Sequence, residues 1–133
     1  MLVLNSDFIT EEFGDRFAYN LNVNFQTKTT IIDFGRYITE DSVPNKKMIF
    51  RNIIWQEFSE FDFSNIFNTI EIDRSFAVFY KKKKKYFENM EKYIPEKVLV
   101  ELMTKDLYFY SFVQTKGLNC FVVTERELEI QIL

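Results

Sequence analysis

Apolar and polar positions along this chain recur mostly with period two. Phe17, Tyr19, Leu21, Val23 and Phe25 alternate with Ala18, Asn20, Asn22 and Asn24. Successive side chains of a strand point to opposite faces, so this pattern predicts a strand with one apolar face. Thr29 to Ile38 predicts its hairpin partner across Gln26 to Lys28, with Gly35 marking a bulge. At the other end, Leu107, Phe109, Ser111 and Val113 interleave with Tyr108, Tyr110 and Phe112. A strand apolar on both faces is expected to be central and covered twice. A Lys116-Gly117 turn then leads to Cys120 to Thr124. Leu128, Ile130 and Ile132 follow, alternating with Glu127, Glu129 and Gln131 as a half-wet strand does.

The middle of the chain is less regular. Asn5 or Ser6 is placed to cap a helix through Phe13, ended by Gly14. Thr39 to Lys47, with Pro44-Asn45, reads as a loop. Met48 to Phe58 reads as one strand, because β-branched and aromatic residues outweigh its partial helical spacing. Ser64 is placed to cap a short helix through Thr69. Ser75 opens a longer helical stripe of Phe76, Phe79, Tyr80, Phe87, Met90 and Ile94. Lys83 or Lys84 interrupts that stripe, leaving open a strand over Phe76 to Tyr80 and a helix from Lys82 to Tyr93. Pro95 ends the stripe and starts a last helix through Lys105, with Val98 and Leu102, and Leu99 and Met103, one turn apart. The expected fold is α+β, a single domain over residues 1–133. It has an antiparallel β-sheet of about five to six strands with two or three helices packed against it.

Composition narrows the function classes. The chain has 133 residues, long enough for a core that needs no disulfide or metal. Its one cysteine, Cys120, has no internal disulfide partner, which fits a reducing, cytoplasmic setting. The apolar run Met1 to Leu4 is cut short by Asp7, so neither a secretory leader nor a membrane span is expected. Abundant Lys, Asn, Ile and Phe point to an AT-rich coding sequence of bacterial or phage type.

There is no histidine. That removes imidazole acid–base catalysis, the triads built on it, and most zinc sites. No glycine-rich phosphate loop is present. Asp33-Phe34-Gly35 matches a kinase tripeptide without any of its companion motifs. The expectation is a chain with no catalytic residue, no metal and no cofactor, acting by binding.

The net charge of −3 conceals segregation. Between Trp55 and Asp73 the sequence WQEFSEFDFSNIFNTIEID contains acids and no base. Trp55, Glu57, Glu60, Asp62, Glu71 and Asp73 are its candidate partner-binding residues. Carboxylates around an aromatic anchor steer a basic partner and then hold it through a desolvated ring. The same pattern also arises when the rings are core and the acids are their wet face.

Lys81, Lys82, Lys83, Lys84 and Lys85 form a basic run flanked by Tyr80 and Tyr86. Cations beside aromatic rings suit single-stranded nucleic acid. A chain of pI ≈ 5.1 lacks the overall basic footprint of such proteins, and lysine runs are commonly solvated. Glu71 and Asp73, two apart, would share a strand face and could hold a divalent ion in a small hydrolase.

The first expectation is therefore a non-enzymatic protein-interaction module, concretely an immunity-type inhibitor of a basic toxin, such as a nuclease. The alternative is a nucleic-acid-binding accessory protein using Lys81 to Lys85.

Overall fold

The computed structural model describes residues 16–35, 46–59, 65–116 and 119–132. The early helix expected from Asn5 to Phe13, the Pro44-Asn45 loop, the Ser64 cap and the Gly117 turn lie outside these residues. The described residues form eight strands. They are β1 (Arg16–Asn24), β2 (Thr29–Gly35), β3 (Lys46–Phe50), β4 (Ile53–Ser59), β5 (Asn65–Asp73), β6 (Tyr108–Lys116), β7 (Asn119–Thr124) and β8 (Glu129–Ile132). Between β5 and β6 lie α1 (Phe76–Lys82), α2 (Lys84–Met90), a 3-10 turn (Glu91–Tyr93) and α3 (Glu96–Thr104). No helix among the described residues is long and apolar enough to cross a membrane.

Every strand pairing is antiparallel, in the order β4-β7-β6-β5-β1-β2-β3-β8. The link between β1 and β5 is short, matching Arg16 to Ala18 with Asn65 to Phe67. It joins two four-stranded halves whose apolar faces meet. Ile32, Phe34, Met48 and Phe50 of one half share a core with Ile70, Tyr110, Phe112, Cys120 and Val122 of the other. The Phe50 ring lies 5.3 Å from Tyr110, edge to face, and 6.0 Å from Phe112. Each Phe fully removed from water stabilises the fold by about 1.5–3 kcal/mol.

The opposite face of the β5-β6-β7-β4 half carries the helices. Phe109, Phe121 and Val123 pack there under Phe79, Phe87, Ile94 and Leu102. Strand β6 is thus apolar on both faces because one meets the other half-sheet and the other meets the helices, as its sequence predicts.

Several local expectations are corrected. Met48 to Phe58 is two strands, divided at Asn52, which adopts a left-handed φ of 54°. Asparagine tolerates that conformation better than most residues. The break carries the chain from one half of the sheet to the other. Asn65 to Thr69 belongs to β5 and is not helical, because Ile66, Thr69, Ile70 and Ile72 suit a sheet and are recruited by β6. Phe76 to Tyr80 is helical. Ser75 caps it, its hydroxyl accepting from the Val78 amide at 3.4 Å. The interruption at Lys83 is real and separates α1 from α2.

The expected bulge is on β1, between Ala18 and Asn20, and not on β2. It puts Ala18 and Leu21 on the core face together, so Phe17 and Tyr19 leave the apolar row that Leu21 joins. Gly35 accommodates the displaced ring, since a Cβ there would stand 2.5 Å from Tyr19 Cε2.

Candidate interaction site

Strand β4 ends the sheet order and pairs with β7 alone among the described residues. Exposed sheet edges are commonly interrupted, and β4 carries a bulge between Ile53 and Trp55. Beyond the bulge, Trp55 lies opposite Val123 and Glu57 opposite Phe121, so both side chains project from the helix-bearing face. Trp55 is half-buried against the helices, and its indole N–H donates to the Tyr86 hydroxyl at 2.7 Å. Burial pushes the Tyr86 phenol above its ordinary pKa, so the hydroxyl keeps its proton.

Trp55 also lines an apolar cleft of about 310 Å³, together with Val23, Phe25, Lys28, Ile53 and Ile54. This cleft lies where the β1–β2 hairpin tip meets the start of β4. The Asn24 side chain folds the tip by accepting from the Gln26 and Thr27 amides at 3.0 and 3.1 Å. The Ile53 amide then donates to the Lys28 carbonyl at 3.1 Å, fixing the tip to β4. Phe25 stands on the rim with 85% of its surface exposed.

The six acidic-stretch candidates are therefore divided. Trp55 and Glu57 share the outer strand. Glu60 and Asp62 lie outside the described residues. Glu71 and Asp73, at the end of β5, both accept from Lys82 Nζ, at 2.5 and 2.9 Å. The chain's own ammonium thus bridges the carboxylate pair whose spacing suits a divalent ion. Those hydrogen bonds, Glu71's first, raise the Lys82 pKa above 10.5.

The basic run is divided too. Lys82 is committed to Glu71 and Asp73, and Lys84 approaches Glu88 one turn on at 3.9 Å. Lys81 and Lys85 are exposed, while Lys83 is half-buried with its ammonium 5.8 Å from the Phe121 ring centre. Tyr80 stacks on Phe87 at 4.8 Å, and Tyr86 meets Phe121 edge-on at 4.9 Å. Both rings are engaged in the helical core.

Phe25, Val23 and Ile54 were not singled out by sequence. Phe25 continues the β1 alternation and so reads as core. The available signal was Asn24 just before it, a residue that starts turns through its own side chain.

No protein family, no curated protein and no solved structure matches the chain.

Proposed function

We propose that the protein is a cytoplasmic, non-enzymatic interaction module, in its most concrete form an immunity-type inhibitor. Its partner is a basic toxin domain, such as a nuclease, of bacterial or phage origin. One observation carries the reading: Trp55, held in orientation by Tyr86, borders both the Phe25 cleft and the Glu57 carboxylate on the outer strand of the sheet. Binding hot spots are centred on such aromatic anchors in pockets ringed by other contacts. An anchor already fixed loses little rotamer freedom on association. Glu57, together with Glu60 and Asp62 that follow it in the sequence, supplies attraction for a cationic surface.

The test is reconstitution. The product of the reading frame beside this one is purified and mixed with the chain. The reading expects an equimolar complex in which the partner's activity is blocked, and Trp55→Ala or Phe25→Ala weakens the complex at least about tenfold. Full inhibition by the double Trp55→Ala, Phe25→Ala variant, once shown to be folded, would remove this surface from the account.

A further inference from the structure

The junction between α1 and α2 forms one wall of a second cleft, of about 300 Å³, on the helix side of the sheet. Small-molecule sites begin at about that size. Lys82, Lys83, Lys85 and Tyr86 line it from the helices, and Glu57 and Phe121 from β4 and β7. Lys82 contributes little free charge, because Glu71 and Asp73 hold its ammonium.

Lys83 and Lys85 are different. Neither forms an ion pair among the described residues, and Lys83 is half-buried with its ammonium towards the Phe121 ring. An ammonium drawn out of water without a counter-ion is costly, and a bound anion offsets that cost. The consequence is visible in Lys83 itself, whose pKa burial lowers below 10.5. The Tyr86 hydroxyl accepts from Trp55, and a hydroxyl retains one proton to donate. The cleft therefore presents two ammonium groups outside any ion pair among the described residues, Lys83 facing only the Phe121 ring and, through space, Glu71, and an O–H donor, against one lining carboxylate, Glu57.

We propose that this cleft binds a small phosphate-bearing molecule, its phosphoryl oxygens held by Lys83, Lys85 and the Tyr86 hydroxyl. A dianion matches the two ammonium groups and outweighs the repulsion from Glu57. A nucleic-acid strand is disfavoured, because the rings that would stack on its bases, Tyr80 and Tyr86, pack against Phe87 and Phe121.

Trp55 is the sole tryptophan, and its bond to Tyr86 makes its emission a reporter of the cleft. The protein is titrated with inorganic phosphate and with glycerol phosphate, against sodium chloride at matched ionic strength. A saturable emission change with the phosphates and not with chloride is expected, and the tighter of the two identifies whether the free ion or the ester is preferred. Lys83→Gln and Lys85→Gln each weaken binding about tenfold or more, and Glu57→Gln strengthens it. Lys85 is exposed, so its variant keeps the test sharp should Lys83→Gln perturb folding. Three results would overturn the proposal: an equal response to chloride, unchanged phosphate affinity in Lys85→Gln, or a single-stranded oligonucleotide bound more tightly than glycerol phosphate.

Discussion

The indole N–H of Trp55 donates to the Tyr86 hydroxyl across 2.7 Å, tying the outer strand of the sheet to the second helix. The bond joins two stretches that the sequence presents as opposites, an acidic one and a lysine-rich one. Tyr86→Phe keeps the ring against Phe121 and removes only the acceptor. The expected result is a loss of about 0.5–1.5 kcal/mol in denaturant unfolding, with a shifted Trp55 emission spectrum. An unchanged spectrum would mean that the indole is oriented by packing alone.

Lys82 and Lys83 are neighbours with opposite effects on stability. Lys82 binds its proton more tightly in the folded state than in the unfolded one, mainly through Glu71 and then Asp73. Its contribution is full below pH 10.5 and is lost as pH rises through the elevated value. The pair is partly exposed, so Lys82→Met is expected to cost about 0.2–1 kcal/mol at pH 7. That difference from wild type shrinks in strongly alkaline melts.

Lys83 binds its proton less tightly when folded, because burial penalises the charge. It lowers stability at neutral pH, and the loss is recovered as pH rises through its depressed value towards 10.5. Lys83→Met is therefore expected to raise the melting temperature at pH 7. A stabilised variant that no longer binds phosphate would mark Lys83 as retained for a ligand and not for the fold.

Gly35 and Tyr19 sit on neighbouring strands with no room between them. Gly35→Ala is expected to cost about 1–3 kcal/mol by thermal denaturation, as overpacking does. Tyr19→Ala in the same background is expected to return part of that loss, because the ring is what the new methyl meets.

Tyr110 has a comparable role inside the core. Its hydroxyl accepts from the Leu128 amide at 2.8 Å, anchoring the segment that leads into β8. Burial holds the phenol protonated far above its ordinary pKa. Tyr110→Phe leaves a buried amide unpaired, which costs about 1–3 kcal/mol. Hydrogen exchange at Leu128 checks the assignment, since its protection falls in the variant.

What the sequence revealed follows from the range of the forces involved. The two-faced β6 was legible because each face is a run of large apolar groups, and burial leaves that mark locally. Ser75 was legible because capping acts within three residues. The split at Lys83 was legible as a break in helical spacing. The Asn52 division and the β1 bulge were not, because both depend on partners distant in sequence. Asn52 is set by where β3 and β4 find their separate sheet neighbours, and Tyr19 is displaced by the register with β2. At the site, Trp55 and Glu57 were legible as a ring beside an acid. Their joining to Phe25 was not, because the hairpin tip meets β4 only after the sheet has formed. The pairing of Lys82 with Glu71 and Asp73 was hidden for the same reason, and composition counted those charges as separate patches.

The central proposal is that an aromatic anchor and the acids that follow it in the sequence capture a basic protein. The most direct measurement is the association rate of the chain with the purified neighbouring gene product at two salt concentrations. Wild type is compared with Glu57→Lys, Glu60→Lys, Asp62→Lys, whose folding is checked by circular dichroism. The account predicts fast association that slows with salt, and a triple variant slower by about tenfold or more at low salt. Equal rates for the two folded proteins, insensitive to salt, would contradict it.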